Sequence, residues 1–285
     1  DNLSNVLDSN CLVASSPSMT NHCFPKRCPW LGVAGVCILF FLSLPTLIVI
    51  PMSFSGASYL EFPPESWSFR WYESYFGSSE WMRSTKTSLL VAFLTTLIAT
   101  PLGSLAAYGL TFTSARVRNA SQLLVVIPIL VPVILIAIGV FHLYAKLGLN
   151  YTITGIVIAH TSLAVPFVII TVLAGLKNYD FNQELAARSL GASRPRALLT
   201  ITLPQVKFSI QTGALLAFIT SLDEVVVSMF VSGGENATIT RRMFNSLRDQ
   251  VDPTIAAIST CLIFVSVSAL VTVIIFNRNQ NKDQS

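Results

Sequence analysis

Apolar runs of about twenty residues recur along this sequence, and at roughly 1.5 Å per helical residue each can cross the roughly 30 Å hydrocarbon core of a bilayer. They lie at 30–52, 87–110, 123–144, 153–176, 208–231 and 254–276. Backbone in lipid must satisfy its own hydrogen bonds, so these runs predict helices and the chain reads as an all-α membrane protein with six transmembrane helices. Only 11% of the residues are charged while 52% are hydrophobic, a balance that does not suit the surface of a soluble domain. The net charge of +4 therefore carries information about topology rather than about affinity for nucleic acid.

Residues 1–28 are rich in Ser and Asn, lack periodicity and are expected to form a disordered tail. Lys26 and Arg27 precede the first run, whose length and lack of a clean small-residue cleavage site favour a retained span over a signal peptide. The six-helix domain is expected over 29–277, with a short tail at 278–285. With the N-terminus in the cytoplasm, Arg116, Arg118 and the basic residues of segment 177–207 all fall on the same side as Lys26 and Arg27. That bias places both termini and the 177–207 segment in the cytoplasm. The aromatic stretch 53–83, with Trp67, Trp71, Tyr72 and Trp81, is expected as an interfacial strap or short helix. Prolines 101, 128, 132 and 166 fall within the runs, where each removes a backbone hydrogen bond and can kink its helix.

The sequence contains no phosphate-cradling GxxxxGK[ST] loop, no HExxH and no GxSxG, so no enzymatic activity is expected. The five cysteines lack the spacing of a zinc site. Inside the fifth run, however, stand Asp223 and Glu224. A carboxylate at the bilayer centre costs roughly 2.5 to 3.5 kcal/mol on insertion scales, and that cost calls for a partner or an aqueous pathway. Three readings remain open: pairing with another helix, attraction of a cation along a transport route, or a proton relay. Ser221 and Ser228 flank the pair. His160 and His142 suit hydrogen-bonded packing better than ligand binding. Together Asp223, Glu224, Ser221, Ser228 and His160 form the candidate pathway set.

Between the fourth and fifth runs lies ELAARSLGASRPRALLTITLP, residues 184–204, the one long polar helical pattern of the chain. A small-residue helix ends near Gly191, and Pro195 suits the first turn of a second helix. Small residues allow close approach by another surface, while Arg188, Arg194 and Arg196 keep the element wet. The pattern resembles the EAA motif of permease subunits of ATP-binding-cassette importers, which reads Glu-Ala-Ala, three residues, Gly, nine residues, Ile, one residue, Leu-Pro. Ala186, Ala187, Gly191, Ile201, Leu203 and Pro204 occupy matching positions, with Ala192 after the glycine. Leu185 stands where the motif has its acid. The acid comes one residue earlier, at Glu184, which turns it about 100° around the helix.

The resemblance extends over much of 30–277. SFRWY at 68–72, AH and LAVPF within 159–167, SLDEVVVSMF at 221–230 and DPTIAAIST near the last run are similar to permeases of spermidine and putrescine importers. It implies a type I importer permease (MetI-like) fold in a bacterial inner membrane. It also implies a second permease subunit, two ATPase subunits that bind ATP and Mg, and an extracytoplasmic solute-binding protein. No cofactor is implied on this chain. Segment 184–204 would be the coupling helix seated on the ATPase, and the solute a small cation of polyamine type. Ferric iron, thiamine or another amine would fit related permeases. The rival from a different class is an ion-coupled carrier or channel that works without an ATPase, and a third is a membrane scaffold that only recruits a partner.

Overall fold

The computed structural model describes residues 29–249 and 252–282. The expected tail at 1–28 lies outside the described residues. Helices follow one another as α1 (Pro29–Met52), α2 (Arg70–Gly77), α3 (Ser79–Thr111), α4 (Ala115–Leu130), α5 (Val133–Leu147), α6 (Ile153–Lys177), α7 (Asn182–Ser189), α8 (Arg194–Ala197), α9 (Leu203–Gln205), α10 (Lys207–Asp223), α11 (Val226–Val231), α12 (Ile239–Asp249) and α13 (Thr254–Lys282). A π-helical turn, Leu198–Thr202, joins α8 to α9. Among the described residues no strand forms beyond one isolated bridge between Ser55 and Trp67.

The chain divides into two compact units, 1–45 and 46–285. The first contains most of α1, whose Val33, Val36, Phe40 and Phe41 are exposed, as suits a helix facing lipid. The second holds everything from Thr46 onward.

Among the described residues four helices, α1, α3, α6 and α13, are long and apolar enough to span a membrane. The remaining two expected spans are broken. The third is the pair α4 and α5, bent by 92°, and counts as a fifth span only if both are taken together. The break falls at Val131-Pro132. Val131 is extended, as a residue before proline prefers, and Pro132 supplies the start of α5. Pro101, Pro128 and Pro166 by contrast stay inside their helices. The expected fifth span, 208–231, is divided into α10 and α11 by an extended residue, Glu224. At the C-terminus, helix α13 continues through part of the stretch expected as a tail, to Lys282.

Helix α6 occupies the centre of the second unit and packs against α3 and α10. Close approach is set by glycine on both neighbours. A Cβ on Gly103 would fall 2.7 Å from the Val168 side chain, and one on Gly213 would fall 3.3 Å from Val168. Backbones that meet at bare glycine surfaces gain dispersion contacts that larger residues would prevent. One core cluster, with Tyr108, Val168, Val172, Leu176, Leu198 and Val206, carries this packing into segment 177–207. A second cluster, with Val91, Ala137, Ile156, Val227 and Val231, lies around α5 and α11.

Segment 53–69 folds back on itself as an aromatic strap. Phe54 packs on Trp67, Phe69 and Tyr72, and the Ser55 hydroxyl donates to Glu61 Oε1 at 2.6 Å. That bond holds the Glu61 carboxyl below the usual carboxylate range. Nearby, Arg242 of α12 pairs with Glu80 at the start of α3, and Ser88 accepts the Ile239 N–H at 2.8 Å.

Candidate functional site

Two regions collect the candidate residues, and the chain builds each around a helix end. The first is the break in the fifth span. Helix α10 ends at Asp223, and Glu224 leaves the helical region with φ −69° and ψ 109°. Its side chain then reaches forward: Oε1 accepts the Val227 N–H at 2.9 Å, which satisfies one of the free donors at the start of α11. The Glu224 carbonyl accepts the Thr240 hydroxyl at 3.0 Å, so α12 also closes on the break. The two acids therefore do not lie on one continuous helix, as the apolar run 208–231 suggests. One of them is spent on ending the break.

His160 fastens both sides of that break to α6. Its Nδ1 lies 2.9 Å from the Ser221 hydroxyl on α10, and its Nε2 lies 3.1 Å from the Ser228 hydroxyl on α11. All three side chains are buried. A neutral imidazole offers one donor and one acceptor, and hydroxyls can do either, so both tautomers complete the bridge. Asp223 is exposed and lines a cavity of about 470 Å³ between α10, α12 and α13. The other walls are chiefly apolar, among them Leu222, Val225, Met243, Phe244 and Leu262. Such a cavity offers a single anionic point to a ligand and an apolar surface to the rest of it. Of the five pathway candidates the structure brings all to one place, but only Asp223 borders this cavity. His142 stands apart and is exposed.

The second region is segment 177–207, a helix-turn-helix as expected. α7 ends in a left-handed Gly191 at φ +94°, with the Ala192 N–H returning to the Ala187 carbonyl at 3.1 Å. A residue with a side chain resists that φ, so the glycine of the pattern is explained by its turn. Pro195 sits in the first turn of α8. Ala186 and Pro204 are exposed, Ala187, Ala192 and Ile201 are half-buried, and Leu203 packs against the core. Leu185, Leu190 and Leu199 are exposed by 54%, 90% and 63%, apolar side chains presented by an otherwise polar loop.

Glu184 does the opposite. It is 2% exposed, its Oε1 accepts the Tyr108 hydroxyl at 2.7 Å and its Oε2 accepts the Thr202 hydroxyl at 2.8 Å. Thr202 also lies 3.3 Å from Tyr179 Oη. Sequence reasoning missed Tyr108 and Thr202, and a tyrosine at the end of an apolar run signals a membrane interface as readily as a buried hydroxyl.

Residues 99–283 match the family model described as the binding-protein-dependent transport system inner membrane component. The chain belongs to that family. This permease is 30% identical to the spermidine/putrescine transport system permease protein PotC of Haemophilus influenzae over 242 residues, 85% of this chain and 93% of that protein. It is also 30% identical to the putrescine transport system permease protein PotI of Escherichia coli over 244 residues, 83% and 86% of the two chains. Among solved structures, a bacterial alginate ABC transporter in complex with an alginate-pentasaccharide-bound periplasmic protein shares its fold, with a TM-score of 0.63 and 19% identity over 87% of this chain and 93% of that one. The permease thus has the fold of ABC importer permeases and is a multi-pass membrane protein.

Proposed function

We propose that this permease forms half of the transmembrane pathway of an importer for polyamine-class cations, with Asp223 as the point that attracts an ammonium group. The observation that carries the reading is the cavity at the break. A polyamine is a chain of methylenes punctuated by cationic nitrogens, and the cavity pairs one exposed carboxylate with an apolar wall. An ammonium at Asp223 gains a charge-assisted hydrogen bond while the methylenes cover Phe244 and Leu262. The relatives named as spermidine and putrescine permeases support the same class of solute.

In this reading both termini and segment 177–207 face the cytoplasm. The exposed Leu185, Leu190 and Leu199 seat on a partner ATPase, which binds ATP and Mg and supplies the energy. Ala186 and Pro204 are exposed on the same segment, while Gly191 shapes its turn. A second permease completes the pathway and an extracytoplasmic solute-binding protein delivers the solute. The buried trio His160, Ser221 and Ser228 holds the break so that Asp223 stays at the cavity.

The test is uptake of radiolabelled putrescine into vesicles holding the assembled complex, with and without ATP. Asp223→Asn is expected to abolish most uptake while the complex still assembles. Equal loss of assembled complex would instead make Asp223 a structural residue. Uptake by this chain alone, driven by an ion gradient without ATPase subunits, would replace the importer reading by that of a carrier.

A further inference from the structure

The burial of Glu184 is not forced by its position. α7 is a surface helix of eight residues, and Gln183, Leu185, Ala186 and Arg188 beside it are exposed. A glutamate there can reach water by a change of rotamer, so holding it inside requires bonds that replace its hydration. Those bonds come from two other elements. Tyr108 stands in the last turn of α3, and Thr202 closes the π-helical turn that leads into α9 and α10. Arg194, which opens α8, covers the same place from outside, with its guanidinium 4.5 Å from the Phe112 ring centre and 5.8 Å from that of Tyr108. Proximity to the Tyr108 hydroxyl and to Glu184 raises the Arg194 pKa.

Helices α6 and α10 are joined to the loop by the chain itself, through the turn at 178–181 and through Val206, which departs from helical geometry at φ −98° and ψ 14°. Helix α3 has no chain connection to the loop, yet it packs on α6 and α10. Apolar contacts such as those of Leu198 on the core are non-directional, whereas the buried hydrogen bond from Tyr108, the one of the pair that crosses from α3 to the loop, fixes direction as well as distance. We propose that Glu184 is a positioning residue, a latch through Tyr108 that makes α3 follow the loop when the loop is displaced. This rests on the coupling role proposed above. It assigns the acid an inward task, in place of a contact on the docking face.

The experiment uses the complete complex, this chain with its second permease, ATPase subunits and solute-binding protein, in lipid vesicles. Hydrogen exchange of the peptides covering α7 and the last turn of α3 is followed on addition of ATP and vanadate, which needs no knowledge of the solute. Wild type is expected to respond in both peptides. In Tyr108→Phe, which keeps the ring and removes one hydroxyl, the α7 response persists and the α3 response falls about three- to tenfold, the factor for one lost hydrogen bond. Glu184→Leu is expected to do the same or more, and Glu184→Gln, which retains an acceptor oxygen, less. An unchanged α3 response in Tyr108→Phe overturns the latch alone. Equal weakening of both peptides with loss of assembled complex makes Glu184 a structural tie and also overturns it. A wild-type complex in which neither peptide responds overturns the importer reading and the latch with it.

Discussion

Glu184 and Asp223 are both acids near helix ends in a chain with few charges, and they are solved in opposite ways. Glu184 begins an amphipathic surface helix and turns inward, with each oxygen taking a hydroxyl from a different element. Asp223 ends an apolar helix and stays exposed at a cavity, while its neighbour Glu224 caps the next helix. The difference lies in what surrounds them. Around Glu184, Tyr108 and Thr202 provide donors that convert an acid into a fastening. Around Asp223 the walls are apolar and the nearby hydroxyls of Ser221 and Ser228 are already committed to His160. An acid left without partners on an apolar wall is available to a cation, and an acid with both oxygens occupied is not.

That contrast can be broken most directly at Asp223. Asp223→Asn keeps the shape and removes the charge, and uptake of a cationic solute by the assembled complex is expected to fall about ten- to a hundredfold, the range for one charge-assisted hydrogen bond. Glu224→Gln is the matched control, because its side-chain oxygen can still accept from Val227. It should lose far less uptake in the same assay. Next in size is His160→Ala, which leaves the Ser221 and Ser228 hydroxyls buried without their bridge. A loss of about 1 to 3 kcal/mol is expected, read as a lower melting temperature of the purified complex. An unchanged melting temperature would show that the clip across the break contributes nothing. Gly191→Ala forces a side chain into the left-handed region and should cost about 1 to 2 kcal/mol. Its reading is weaker co-purification with the ATPase subunits, and full retention would detach the turn from docking. The smallest effect is expected for Leu190→Ser. It removes one exposed apolar side chain from the loop, should leave thermal stability within about 0.5 kcal/mol, and lowers ATPase retention only slightly.

Much of the fold is legible in the sequence. The runs at 30–52, 87–110, 153–176 and 254–276 appear as α1, α3, α6 and α13, because helix length in lipid follows from bilayer thickness. The loop was legible too, through Gly191 and Pro195, whose backbone preferences act locally. The two runs that broke were not. Pro132 marked one break, but a proline at 101 or 166 gives the same signal and leaves its helix whole, so neighbours decide. At 224 the cue was the pair of acids itself, which reads equally as a buried pair inside one helix.

What the sequence by itself determined is a membrane-embedded helical chain with a polar loop of importer-permease pattern, since hydropathy, spacing and turn chemistry are properties of short stretches. Which acid is held and which is free was decided only by the tertiary structure. Tyr108 lies 76 residues from Glu184, and Ser221 lies 61 residues from His160. A hydrogen bond acts over about 3 Å, and no local pattern tells a carboxyl group which distant hydroxyl will be folded against it.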